Sequence, residues 1–176
     1  LSVVREKELG SIVNFYATPV RKMEFLLGKQ LPYIVVSLIS FFGLVTFAIY
    51  VFQVPLKGSL FTLTLGVFLY IICTTAIGLF ISSFVKTQIA ALMGTAILTL
   101  LPTIQFSGLK EPVSSLEGVA QYIGNIFPVT YFINISRGVF SKNVSFSELR
   151  FEFFVLSISI FVILYCSYLV LNKQEK

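Results

Sequence analysis

Apolar residues in this chain run in long blocks separated by short polar punctuation, and block length is the first signal. About 20 residues at 1.5 Å each cover the roughly 30 Å hydrocarbon core of a bilayer. Four blocks reach that length: Leu31 to Phe52, Ser59 to Phe84, Ile89 to Leu109 and Phe151 to Leu171. The last has one charge, Glu152, at its edge, where the cost is small. The pattern predicts an all-α, polytopic membrane fold with four transmembrane helices, read as one domain over residues 1–176.

Two stretches do not fit the block pattern. Between Pro112 and Arg137 the chain is apolar enough to enter a membrane, yet it is broken by Gly118, Gly124, Asn125 and Pro128. A re-entrant pair of short helices within the outer 110–150 region is the preferred reading, a geometry tolerated only where protein or water covers the backbone. An amphipathic pair lying on the outer surface is the alternative. At the other end, residues 1–30 are charged and punctuated, although "LSVV" could close a longer apolar run. Ser11 after Gly10 is a helix N-cap candidate, and Ile12, Phe15 and Tyr16 share one face of a short helix. Thr18 and Pro19 stop that helix and start another, which leads through Leu26, Leu27 and Gly28 into the first span. Too short to be stable alone, the first of these helices must lie against lipid headgroups or a protein partner.

Composition sharpens the class. Hydrophobic residues make up 56% and charged residues 12% of the 176 residues, and mean hydropathy is +0.92, far from the balance of a soluble domain. The net charge of +5 therefore reports orientation before partners, and nucleic acid is not implied. With four crossings, Arg5, Lys7, Arg21, Lys22, Lys29, Lys86, Lys173 and Lys176 share one side, which the positive-inside rule makes cytoplasmic together with the C-terminus. Starting at Leu1 with no initiator Met, the chain is read as a fragment lacking its N-terminal part.

Candidate chemistry is sparse. Cys73 and Cys166 lie in apolar runs, and the chain contains no His, so no metal site or disulfide framework is suggested. No phosphate-cradling G-x-x-x-x-G-K-[ST] pattern occurs, so any nucleotide chemistry belongs elsewhere. In the third span Ala91, Thr95, Thr99 and Thr103 recur every fourth residue, with Pro102 predicted to kink the helix. One reading is interhelical packing, where small residues and Thr hydroxyls let helices approach. The other has Thr95, Thr99, Thr103, Gln105 and Phe106 lining a translocation path.

The order "REKELGS", "ATPV", "LLGK", "VPLKGSL", "GLFISSFVKTQIAA", "FSG" and "FPVTYFINISRGVF" resembles the C-terminal half of ABC-2 type permeases, the membrane subunits of ATP-binding cassette exporters. The resemblance covers nearly the whole chain. It implies a coupling helix that docks on a separate ATPase subunit, matched here by Glu8, Gly10, Ser11, Ile12, Phe15, Tyr16, Thr18 and Pro19. It also implies that ATP and Mg sit on that partner, that this chain binds no cofactor, and that a second permease copy or paralogue pairs with it in the inner membrane of a bacterium. Re-entrant helices before the last span are a further family feature, matched by the region of Lys110, Glu111, Pro128, Arg137 and Gly138. Here the Arg137–Gly138 pair is expected to hold the re-entrant helices against the last span. The chain departs from the family at Val13, where an acidic residue is common, and at Lys110 and Glu111, where apolar residues are. The implied activity is ATP-driven export of a hydrophobic or amphipathic substrate. Against it stand a non-transporting scaffold or sensor, whose partner binding would ignore nucleotide, and an ion-coupled carrier with its ionisable residues upstream.

Overall fold

The structure is a computed structural model that describes residues 2–8, 22–109, 112–142 and 144–172. Among these residues every regular element is helical. Four helices are long and apolar enough to cross a membrane: Met23–Tyr50, Leu60–Phe84, Gln88–Phe106 and Arg150–Val170.

Helix α1 (Ser2–Glu8) is short. It nonetheless belongs to the bundle, because Val3 and Val4 are completely buried and Val3 packs with Leu26 and Leu79. Helix α2 (Lys22–Tyr50) starts nine residues before the predicted Leu31 and continues through Pro32. A proline inside a helix loses one backbone bond and crowds the carbonyl four residues back, here that of Gly28. Spanning helices tolerate this because neighbouring groups re-satisfy the freed backbone. Helix α3 (Leu60–Phe84) follows and ends at the extended Val85. The Thr87 side chain then accepts from the Ala90 amide at 3.3 Å and caps the next helix.

That third span is not one continuous α-helix. It consists of α4 (Gln88–Thr95), a π-helical turn at Ala96–Leu100, and α5 (Leu101–Phe106). Pro102, with no N–H to give the Leu98 carbonyl, lies just beyond the wide turn, the usual company of such irregularities. After a single 3-10 turn at Val113–Ser115 come α6 (Val119–Ile126) and α7 (Pro128–Arg137), a second π turn at Gly138–Lys142, and the last helix α8 (Arg150–Asn172). Gly124 and Asn125, read from sequence as breaks, lie inside α6. The actual breaks are Gly118, at φ +59°, and Phe127–Pro128, where proline occupies the first position of α7, its favoured helical site.

Helix α3 is the centre of the bundle. A third of its most apolar window (33%) is buried, against 6% for both the first and the third spans. Two cores sit at its two ends. Near its C-terminus Val3, Leu26 and Leu79 meet. Near its N-terminus Val45, Leu63, Ile135, Val139, Leu149, Phe153 and Leu156 join α2, α3, α7 and α8. This second end, remote from α1, is called distal below.

Contacts along α3 define the path of α7. The Gly58 amide donates to the Val139 carbonyl at 2.8 Å, Ile135 fills the space over Gly66, and Phe132 stacks on Tyr70 with centroids 4.5 Å apart. Residue numbers fall on α3 as they rise on α7, so the two helices are antiparallel. Tyr70 lies about ten residues, or about 15 Å, along the axis from Leu60, roughly half the thickness of a hydrocarbon core. Helix α7 thus lies along half the length of α3, and α6 leads into it from the end of the third span.

Candidate functional site

The third span carries the hydroxyl series. Thr95 closes α4, Thr99 sits in the π turn and donates to the Thr95 carbonyl at 2.7 Å, and the Thr103 carbonyl on α5 accepts from Ser107 Oγ. In a regular α-helix four residues turn through about 400°, so an every-fourth pattern drifts by roughly 40° per step. The wider π turn between Thr95 and Leu101 offsets that drift and keeps the Thr series closer to one line. Gln105 is exposed, and Phe106 is half-buried beside α6. Most of the remaining surface of this span is uncovered within the chain, with Ile89, Leu92, Met93, Ile97, Leu98, Leu101 and Ile104 all exposed.

Of the residues read as a coupling element only Glu8 is described. It is exposed at the end of α1, and its Oε2 accepts from Gln88 Nε2 at 2.6 Å. One end of the opening segment is thereby tied to the first residue of α4. Gly10, Ser11, Ile12, Phe15, Tyr16, Thr18 and Pro19 lie outside the described residues, as do Lys110 and Glu111.

Pro128, buried, begins α7. Arg137 ends it and donates from Nη2 to the Leu109 carbonyl at 3.1 Å, so the guanidinium ties α7 to the exit of the third span rather than to the last span. Gly138 is the member of the pair that faces the segment leading into the last span. A Cβ there would meet Val144 at 3.4 Å and Leu149 at 3.6 Å, next to the start of α8. Glu8 and Arg137 therefore mark opposite ends of the bundle, and the Thr series runs between them.

Sequence reasoning missed several positions. Gln30, only 1% exposed, donates to the Ile72 carbonyl at 2.8 Å and the Thr75 hydroxyl at 2.6 Å. A glutamine within an apolar span was the signal, since such residues bond across helices. Gly66 and Gly124 are contact points: a Cβ would stand 2.9 Å from Ile135 Cγ2 at the first and overlap the Phe106 carbonyl oxygen at the second. Glu152, treated as a harmless edge charge, lines a cavity with Arg137. Cys73 and Cys166 are free thiols. Among the described residues no group of His, Cys, Asp or Glu could hold a metal ion.

A helical bundle with four crossing-length helices and a pair of short helices before the last of them defines a polytopic membrane domain. The chain belongs to the ABC-2 family of transporter proteins, whose membrane domain it matches over residues 1–170. It is 28% identical over 145 residues to the probable multidrug ABC transporter permease YbhR of Escherichia coli, covering 82% of this chain and 39% of that protein. It is 28% identical over 158 residues to the inner membrane transport permease YhhJ of Escherichia coli, covering 88% of this chain and 41% of that protein. It is 27% identical over 178 residues to ABC transporter G family member 20 of Dictyostelium discoideum, covering 100% of this chain and 24% of that protein. The chain thus spans about two fifths of the length of its bacterial relatives. No solved structure matches it.

Proposed function

We propose that this chain is the C-terminal half of a permease that exports a hydrophobic or amphipathic molecule, with ATP hydrolysis in a partner ATPase subunit that carries ATP and Mg. The observation that carries this reading is the third span. It holds a hydroxyl series and Gln105, yet only 6% of its most apolar window is buried within the chain. A spanning helix with a half-buried hydroxyl series and little intrachain cover is suited to meet a second permease copy and to line a path with Thr95, Thr99, Thr103, Gln105 and Phe106. Family membership supports the ATPase partner. Residues from Glu8 to Pro19 would contact it, and the Glu8–Gln88 bond gives that contact a direct route to the base of the third span. Closure of the ATPase would then move α4, and the spans would re-pack so that the path opens at the distal end. In this reading the distal end is extracytoplasmic, the C-terminus is cytoplasmic, and the membrane is the inner membrane of a bacterium.

The test is recovery of the full-length permease from detergent-solubilised membrane, wild type beside Phe15→Asp, with ATP hydrolysis measured on the recovered material. An ATPase that co-purifies with the wild type and is lost or uncoupled in the variant supports the proposal. A folded permease that recovers no nucleotide-binding subunit would overturn it.

A further inference from the structure

At the distal end a cavity of about 580 Å³ opens between the exit of the third span, α7 and the first turn of α8. Its wall includes Ser114, Tyr131, Asn134, Arg137, Phe151 and Glu152. The two charged groups are of opposite sign, and the guanidinium directs Nη2 to the Leu109 carbonyl instead of the carboxylate. The Glu152 Oε2 is sealed from solvent and has no hydrogen-bond partner among the described residues. A carboxylate oxygen removed from water without a donor bears its desolvation cost uncompensated. The guanidinium has five N–H donors in a planar fork that suits phosphate oxygens, and one bond to a carbonyl does not exhaust them. Tyr131 and Phe151 place their rings together, with centroids 6.2 Å apart and planes at 62°, and such faces attract a cation.

The depth of the cavity selects its occupant. Phe151 and Glu152 form the first turn of a helix of spanning length, and the first turn of a span lies at the level of lipid headgroups. A ligand that satisfies both charges there carries a phosphate for Arg137 and a cation for Glu152. The unsatisfied Oε2 needs an N–H donor, which a primary ammonium has and a trimethylammonium lacks. We infer that this cavity is a binding site for the zwitterionic headgroup of a phosphatidylethanolamine-type lipid, with the phosphate on Arg137 and the ammonium on Glu152 beside the Tyr131 and Phe151 rings. The site is separate from the hydroxyl series of the third span and does not depend on export.

Native mass spectrometry of the detergent-purified full-length permease, titrated with phosphatidylethanolamine, phosphatidylcholine and phosphatidylglycerol, tests this without any ATPase present. The wild type is expected to retain phosphatidylethanolamine about tenfold more tightly than either other lipid, as a charge-assisted, two-point contact allows. Glu152→Gln should bring it down to the phosphatidylcholine level. Ser114→Trp, which fills the cavity from its exposed rim and keeps both charges, should do the same and serves if Glu152→Gln does not fold. Equal retention of the three lipids by the wild type, or a preference unchanged in Ser114→Trp, would overturn the inference. So would binding of soluble phosphoethanolamine with no retention of the lipid, or a preference that arises only in Lys110→Gln, where a lysine of this chain would have been the native cation.

Discussion

The Gln30 amide donates to the Thr75 hydroxyl at 2.6 Å across the interface of α2 and α3. Gln30 Nε2 also reaches the Ile72 carbonyl, while Oε1 is buried without a partner among the described residues. The balance of these terms orders three substitutions. Thr75→Val removes one interhelical bond and should cost about 0.6 kcal/mol, the average for such bonds in membranes. Gln30→Ala removes both bonds and leaves a void, at about 2 kcal/mol or more. Gln30→Leu fills the space and also removes the orphaned oxygen, so it should be the mildest, within about 0.5 kcal/mol of wild type. Unfolding of the reconstituted permease in mixed micelles checks the order. Leucine as the most damaging of the three would mean that Gln30 does more than join two helices.

The contact of Gly66 with Ile135 makes the second prediction. A Cβ at Gly66 would stand 2.9 Å from a side-chain atom of Ile135, so Gly66→Ala should destabilise by about 1–3 kcal/mol, as overpacking does. Because the obstacle is a side chain, Ile135→Ala should relieve it, and the double variant should lose less than the sum of the two singles. Strict additivity in a thermal-denaturation cycle would contradict this packing.

At Gly124 the obstacle is main chain, the Phe106 carbonyl oxygen. No side-chain substitution can make room. Gly124→Ala should therefore separate α6 from the end of the third span and exceed Gly66→Ala in damage, with no rescue from Val113→Ala, the other neighbour of that site. Protease sensitivity of the 107–127 segment in the intact permease is the readout, and wild-type resistance in Gly124→Ala would contradict the close approach.

Pro102 supports the π turn at Ala96–Leu100. Restoring its N–H with Pro102→Ala allows a regular bond to the Leu98 carbonyl, and conversion to an α-turn would rotate α5 by roughly 100°, one residue's worth, relative to α4. Thr103 would leave the line of Thr95, and Gln105, on the opposite face of α5, would turn with it. Thiol labelling of single cysteines at positions 95, 99, 103 and 105, with and without Pro102→Ala, should show the distal pair exchanging accessibility with their neighbours and the proximal pair unchanged.

Much of this architecture was legible in the residues, for a physical reason. A bilayer demands long apolar helices, and the block lengths around Leu60–Phe84 and Arg150–Asn172 leave little freedom. The start of α2 was hidden because Lys22, Glu24, Lys29 and Pro32 lower the apolar signal where the helix emerges from the span, although helix and span need not end together. The π turn was invisible because hydropathy does not record backbone bonding, and only Pro102 hinted at it. Gly124 misled because glycine both breaks helices and permits close approach, and pattern alone cannot tell the two uses apart. The cavity beside Glu152 was missed because its charges, Arg137 and Glu152, are neighbours in space and fifteen positions apart in sequence. The coupling residues Gly10 to Pro19 rest on resemblance, since they lie outside the described residues.

The antiparallel seating of α7 on α3 also bears on how the chain is made. Helix α3 precedes α6 and α7 in the chain; those two do not span, and their exposed backbone ends are costly in lipid until protein covers them. Their cover comes from two directions: Gly66 and Tyr70 on α3, made before them, and Phe153 and Leu156 on α8, made after them. The hairpin can settle only when α8 arrives, so insertion of α8 locks the distal end. Damage to α8 would release a chain with its spans inserted and its outer half unassembled, a substrate for quality control rather than a weak transporter.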